Sequence, residues 1–156
     1  MLITPSLGAA EAIDGSSRYL CETETAVGWT GKDDNVLDLQ IWSPRTKFVI
    51  EPVDMTKTIV SSITNNGSEA KISYRVTELG DPKVEFLCVI STEQSANCFG
   101  NIGNGQIQIT TATFRLLVGP GGKMFFIKNK MAGASYLSVW GIGKPKPFEM
   151  GLCQPF

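Results

Sequence analysis

The side chains best suited to do chemistry in this 156-residue chain are four cysteines, Cys21, Cys88, Cys98 and Cys153. No two of them stand in the Cys-x-x-Cys spacing from which zinc ribbons and zinc fingers take their ligands, so we expect disulfides rather than a metal site. Four cysteines allow three pairings. We favour Cys88–Cys98 together with Cys21–Cys153, because the first pins a local connection and the second ties the start of the folded chain to its end. The alternative is four buried free thiols in the cytosol.

Candidates for catalysis are scarce. The chain contains no histidine, and histidine is the commonest general base and the commonest zinc ligand. Glu22 and Glu24 share one face of a predicted strand, but a carboxylate pair works as acid and base only where its surroundings separate the two pKa values. On an exposed strand the two side chains are solvated charges. The sequence therefore indicates no catalytic residue, no cofactor and no metal ligand, and it favours a protein that is not an enzyme.

Three tryptophans, Trp29, Trp42 and Trp140, are the candidates for ligand binding. An indole ring at the mouth of a β-barrel can stack on an apolar or sugar ligand, and it can equally close the end of the core. The glycine-rich run at 100–105 lacks the spacing and the following helix of a phosphate-binding loop. Asp33-Asp34-Asn35 lacks the distal glutamate of a calcium loop. Turns are expected at both.

The elements that position these residues are predicted to be β-strands. Beyond Gly15, short runs rich in Val, Ile, Thr, Phe and Tyr alternate with clusters of Gly, Asn, Asp and Pro, and no run has the period of an amphipathic helix. The predicted strands are 19–25, 36–42, 48–52, 57–64, 70–77, 84–89, 107–109, 114–118, 123–128, 136–141 and 149–153. This pattern predicts an all-β fold: a single antiparallel β-barrel or sandwich of about 8–10 short strands, connected as a meander.

Two of these runs predict how the core is built. Ala70, Ile72, Tyr74 and Val76 alternate with polar residues, which predicts a strand with one dry face and one wet face. The run 84–89 is apolar on both faces and is predicted to be central. Turns are predicted at Asn65-Asn66-Gly67, at Leu79-Gly80-Asp81-Pro82 and at Gly119-Pro120-Gly121-Gly122.

The predicted domain occupies residues 18–156, after an N-terminal segment, 1–17, that is either a flexible arm or the remnant of a signal peptide. Ala10-Glu11-Ala12 matches the small-x-small pattern that precedes a cleavage site. Against a signal peptide, the first basic residue is Arg18 and the apolar stretch before it is short. No stretch approaches the roughly 18 apolar residues of a transmembrane helix, so none is expected.

Charge restricts the partners of this domain. Lys and Arg number 14 and Asp and Glu 15, which gives a net charge of −1. A nucleic-acid-binding protein normally has a basic excess or stripe, and docking on anionic membranes needs a basic cluster. Neither is present, so we expect no nucleic acid among the partners. Hydrophobic residues make up 42% and charged residues 19% of the chain, a balance typical of a folded domain.

Short motifs at both ends of the domain resemble a known group of proteins. Tyr19-Leu20-Cys21-Glu22, followed by Ala26-Val27-Gly28-Trp29, resembles the start of small, uncharacterised exported proteins of proteobacteria, in which an aromatic-x-Cys strand opens the mature chain. Met150-Gly151-Leu152-Cys153 resembles their closing motif, and Cys88, Cys98 and Thr113-Phe114-Arg115-Leu116 are similar as well. The resemblance covers about residues 18–156. It implies a periplasmic or secreted β fold with two disulfides and no established activity. At the level of fold alone, the chain is also similar to periplasmic lysozyme inhibitors.

The leading hypothesis from the sequence is a non-enzymatic binding domain of the bacterial cell envelope, periplasmic or secreted, that presents loops on a rigid scaffold to a protein or a small apolar ligand. One alternative is a carrier whose barrel encloses a small apolar ligand. The other is a viral or assembly component, such as a decoration protein, for which residues 1–17 form an arm. The sequence leaves the oligomeric state open.

Overall fold

A computed structural model describes the chain in the ranges 12–33, 36–60, 66–100, 107–108, 113–129 and 148–156; of residues 29–33, 36–39, 83–84 and 107–108 it describes the backbone alone. These ranges contain ten β-strands and a short 3₁₀ turn at Pro120–Gly122. The strands are β1 (Tyr19–Asp33), β2 (Val36–Trp42), β3 (Lys47–Val60), β4 (Gly67–Glu78), β5 (Asp81–Thr92), β6 (Ser95–Gly100), β7 (Ile107–Gln108), β8 (Thr113–Val118), β9 (Met124–Asn129) and β10 (Phe148–Pro155). The predicted all-β fold is confirmed.

Eight of these strands close into a ring, in the order β1-β10-β9-β8-β6-β5-β4-β3 and back to β1. We call this ring the barrel. The eight strands succeed one another around the ring in the order of the chain, and β10 then pairs with β1, so the predicted meander is confirmed; every pairing is antiparallel except the short contact of β7 with β3. The ring closes because the first residues of β1, Tyr19–Glu22, pair with β3 on one edge and with β10 on the other.

Alternation along the ring strands turns one row of side chains inward, where they fill the barrel. At the centre the rings of Phe114 and Phe126 stack with 4.8 Å between centroids, and Phe48 meets both at steep angles, at 5.5 and 5.4 Å. Aromatic pairs of this kind add about 0.5–1.5 kcal/mol each to the free energy of burial. The other buried members of the cluster are Ile13, Tyr19, Cys21, Ile50, Tyr74, Val76, Phe86, Cys88, Ala96, Cys98, Leu116, Met124 and Cys153.

A second, smaller cluster lies against the outside of β5. Leu87 points away from the barrel interior, because its neighbours Phe86 and Cys88 belong to the interior cluster, yet it is only 1% exposed. It packs with Ile59 and Ile72, so the far half of the β3–β4 hairpin covers it. The predicted burial of β5 on both faces is therefore confirmed, and the dry face predicted for 70–77 is shared between the two clusters.

Two departures from the predicted strands have physical causes. β3 runs unbroken from 47 to 60 instead of stopping at Pro52, because its register on β4 shifts between Pro52 and Met55. A bulge tolerates proline, since part of the hydrogen-bond ladder is already interrupted there. β6 is absent from the predicted strands. Its inward residues, Ala96 and Cys98, are small, which weakens the hydrophobic alternation that would have revealed it.

The predicted turns at residues 79–82 and 119–122 are confirmed where the structure describes them. Leu79-Gly80 joins β4 to β5 with Gly80 at φ +91°, and Gly121 has φ +76° in the turn before β9. Positive φ is strained for residues that carry a Cβ, which explains glycine at both places. The strand predicted at 136–141, most of the loop at 100–105, and Asn65 lie outside the described residues. No helix in the described ranges is long and apolar enough to cross a membrane.

Two buried disulfides brace the barrel, and they are the pair favoured from the sequence. Cys21–Cys153 joins β1 to β10, the first and last strands of the ring, and Cys88–Cys98 joins β5 to β6. Each bridge links residues that lie directly opposite each other in the ladder. Two strands separate the bridges in either direction around the ring. The disulfides therefore hold opposite walls of the barrel.

Residues 12–18 pack across one end of the barrel. Ile13 is 2% exposed within the interior cluster, and its N–H donates to the Glu93 carbonyl in the β5–β6 turn at 2.7 Å. The Gly15 N–H donates to the phenol oxygen of Tyr74 at 2.7 Å, and burial raises the pKa of Tyr74 above its ordinary range, so this acceptor stays neutral. Of the residues that the sequence assigns to an arm, Ile13 and Gly15 thus belong to the packed domain.

The packing of Ile13 has a measurable consequence. We expect Ile13→Ala to lower the free energy of unfolding by about 2–4 kcal/mol, because the deleted atoms leave a cavity in the core. Leu79→Ala is the control, since Leu79 is 53% exposed on a turn, and it should change stability by about 0.5 kcal/mol at most. Urea unfolding followed by tryptophan fluorescence measures both. A loss at Ile13 no larger than that of the control contradicts this packing.

Candidate functional site

The outer wall of β10 carries aliphatic side chains that contact solvent. Alternation buries Gly151 and Cys153 and turns Met150 and Leu152 outward, where they are 41% and 42% exposed. On β1 beside them, Leu20 is 37% exposed. The solvent side of an antiparallel sheet is normally polar. A row of exposed aliphatic side chains there is typical of a surface that another molecule covers.

Neighbouring strands widen this row. The register places Phe125 of β9 opposite Leu152 and Ile127 opposite Met150. On β8, Leu117 lies opposite Phe125. All three added side chains are half-buried. We call the resulting surface the β10 face, and its apolar members are Leu20, Leu117, Phe125, Ile127, Met150 and Leu152.

Two open grooves follow the two sides of Leu152. The larger, of about 450 Å³, lies toward β1 and the start of β3, and Leu20 lines it together with several charged residues. The smaller, of about 280 Å³, lies toward the turn between β8 and β9, where Pro120 and Phe125 line it. Leu152 is therefore a ridge between two depressions, and a partner's side chains can enter on both sides of it.

Four charged residues line the larger groove, two acidic and two basic. We call them the charged rim: Glu22, Glu24, Arg45 and Lys47. Among the described residues none of the four forms an ion pair. The outer surface of β3 to β5 differs, because Arg75 there lies 3.3 Å from a carboxylate oxygen of Glu51 and 3.8 Å from one of Glu85. Charges of both signs at the edge of an apolar surface can steer a partner of complementary charge.

Arg45 stands at a break in the sheet beside the larger groove. It lies between β2 and β3 and has φ +53°, in the left-handed region that side chains with a Cβ rarely adopt. The backbone directly after it stays attached to β1, because the Thr23 N–H donates to the Thr46 carbonyl at 2.8 Å. Strained residues of this kind cluster at binding surfaces. The strained backbone at Arg45 and the exposed aliphatic row of β10 and β1 therefore indicate the same face as a binding surface.

A buried ion pair lies inside the barrel, toward the end away from Ile13. Lys128 Nζ is 3.1 Å from Glu149 Oε2, and the two side chains are 17% and 1% exposed. The ammonium group also lies 5.3 Å from the centre of the Phe48 ring and 5.9 Å from that of Phe86, within the range of cation–π attraction. Cation and carboxylate compensate each other's charge, and the pair is deep among phenylalanines. We assign it a structural role.

Of the predicted ligand-binding tryptophans, the structure describes one side chain. Trp42 is half-buried at the end of β2, opposite Ala26 of β1. Trp29 lies on β1 opposite Leu39, with its side chain outside the described residues, and Trp140 lies outside them entirely. Ligand binding by the tryptophans therefore stays a prediction. Glu22 and Glu24 do share the outer face, as the sequence predicts, and there they belong to the charged rim.

No protein-family model, curated protein or solved structure matches this chain. The resemblance to exported proteobacterial proteins is therefore still a prediction. Within the ranges that the structure describes, no group of three or more His, Cys, Asp or Glu side chains is placed to hold a metal ion. The β10 face and its charged rim form the candidate functional site.

Proposed function

We propose that this chain is a non-enzymatic binding domain of the bacterial cell envelope that holds a partner protein on the β10 face. The observation that carries the proposal is the exposed row of Leu20, Met150 and Leu152 on a barrel wall braced by the buried disulfide of β10. Protein interfaces take most of their affinity from a few apolar anchors inside a polar rim. Here the row supplies the anchors and the charged rim supplies the polar surround.

The two disulfides support the location. Disulfides persist in oxidising compartments such as the periplasm and the extracellular medium and are rare in the cytosol of most organisms. Both bridges are buried, with every cysteine at most 6% exposed, which protects them from reducing agents. We therefore propose that the domain is periplasmic or secreted.

A partner protein fits the described surfaces better than a small apolar ligand. Phe48, Phe114 and Phe126 occupy the centre of the barrel, so the described interior gives no support to the carrier hypothesis. The grooves at Leu152 are open and lined by both apolar and charged residues. A matching partner presents aliphatic side chains at its centre, with acidic groups facing Arg45 and basic groups facing Glu24.

The proposal is tested by photocrosslinking in the source cells. We expect a photoreactive residue at position 152 to capture one protein different from this chain. The same residue at position 71 should not capture it, because Lys71 is 74% exposed on the β3–β4 hairpin, away from this face. Mass spectrometry identifies the captured protein, and its binding is then measured with purified components. Crosslinks only between two copies of the chain would replace the proposal with the assembly hypothesis, and equal capture at both positions would refute it.

Substitution of the ridge residue gives a quantitative prediction. Leu152→Glu should weaken binding of the captured partner about 30-fold or more, equivalent to about 2 kcal/mol, because it puts a charge where the interface requires an apolar anchor. Stability should change by no more than about 1 kcal/mol, since the side chain is 42% exposed. Lys71→Glu is the matched control and should leave affinity unchanged. Isothermal titration calorimetry decides the matter, and equal affinities for the two variants contradict the proposed face.

A further inference from the structure

The bond between Ala12 and Ile13 marks a sharp change in environment. Ala12 is exposed, whereas Ile13 is 2% exposed in the interior cluster. The nitrogen of Ile13 lies 2.7 Å from the carbonyl oxygen of Glu93, which fixes this point of the backbone to the β5–β6 turn. Position 13 is therefore where the chain enters the packed end of the barrel.

The sequence places a processing motif directly before this bond. Ala10-Glu11-Ala12 has small residues at the two positions that leader-cleaving peptidases read. We propose that the chain is cut between Ala12 and Ile13, so that Ile13 is the N-terminal residue of the mature protein and its side chain closes the barrel end. This inference rests on the proposed export but not on the β10 face, and the motif and the burial pattern support it independently.

The cut is a hydrolysis by a peptidase that accepts small side chains before the scissile bond. Water adds across the amide, Ala12 takes the new carboxylate, and the nitrogen of Ile13 becomes an α-ammonium group. The nitrogen need not move, because the Glu93 carbonyl that accepts its amide hydrogen also accepts one from an ammonium group, and a charged donor makes a stronger hydrogen bond. The peptidase reaches the bond before folding, when Ile13 is not yet buried.

The test is the N-terminus of the protein isolated from its source cells, separated into cytosol, periplasm and medium. We expect intact-mass and N-terminal peptide measurements to show chains that begin at Ile13, outside the cytosol and with both disulfides formed. Ala12→Leu should abolish the cut at this bond and leave a longer main species, because a large side chain does not fit the peptidase. Ala9→Leu is the control and should be cut at Ile13 as before.

The outcomes separate this inference from the proposed function. Exported protein with both disulfides but with another first residue overturns the cut at Ala12 and leaves the proposed location intact. Cytosolic protein that retains residues 1–12 and has free thiols overturns both. Cutting of Ala12→Leu at Ile13 as efficient as that of the Ala9→Leu control also overturns the inference, because the proposed recognition depends on the alanine side chain.

Discussion

Replacing Cys21 and Cys153 together by alanine is expected to lower the free energy of unfolding by about 5 kcal/mol, and replacing Cys88 and Cys98 by about 3 kcal/mol. The difference follows from the chain each bridge encloses, because a disulfide removes more entropy from the unfolded chain when its loop is longer. The sequence separations are 132 and 10 residues. The longer bridge also joins β1 to β10, the first and last strands of the ring. Urea unfolding of both double variants, with the unmodified chain, measures the two losses.

The two double variants control for each other. Each removes two buried sulfurs from one strand pair of the same barrel, so the packing loss is similar and the difference reports loop length. The variant without Cys88–Cys98 retains the Cys21–Cys153 bridge and should stay folded, which keeps the comparison measurable even if the variant without Cys21–Cys153 is largely unfolded. Equal losses, or a larger loss at Cys88–Cys98, would mean that strain or local packing rather than chain entropy sets these contributions.

Much of the barrel could be predicted from the sequence because period-2 alternation and turn residues are local signals. The run 70–77 and the glycine turn at residues 79–80 both appear where the pattern places them. Local signals fail where the inward residues are small, as at Ala96 in β6. They also fail at Ile13, a single apolar side chain without alternating neighbours, whose burial depends on the β5–β6 turn packing against it.

The candidate site could not be predicted, because it exists only once distant strands become neighbours. Leu20 and Leu152 stand at opposite ends of the chain, and each alone is an ordinary exposed apolar residue. The register of β1 on β10 and of β10 on β9 brings them together with Phe125. The buried position of Lys128 could have been predicted from the sequence, because Lys128 lies two residues after Phe126 and therefore on the same face of the strand. A cation on the inward face of a strand requires a buried group of opposite charge beside it.

The ion pair of Lys128 and Glu149 gives the second large prediction. Lys128→Met is expected to lower the free energy of unfolding by about 4 kcal/mol, because it takes the nearby cation from a carboxylate that is 1% exposed. Glu149→Leu should cost less, about 3 kcal/mol, because the Lys128 side chain is 17% exposed and its flexible stem can carry the ammonium group toward water. The order of the two losses thus reports how deeply each charge is buried.

The double variant distinguishes the free energy that the ion pair contributes from the free-energy cost of leaving one buried charge unpaired. Lys128→Met with Glu149→Leu should restore stability to within about 1 kcal/mol of the unmodified chain, because two apolar side chains of similar volume can replace a buried ion pair. Chemical unfolding of the four chains completes a double-mutant cycle whose coupling energy should be about 6 kcal/mol, the sum of the single losses less the small residual loss of the double variant.

The Lys71–Asp54 pair is the control, since its side chains are 74% and 91% exposed and its cycle should give a coupling energy of at most about 1 kcal/mol. Additive losses at Lys128 and Glu149 would show that the two side chains stabilise the barrel separately, by packing rather than by charge.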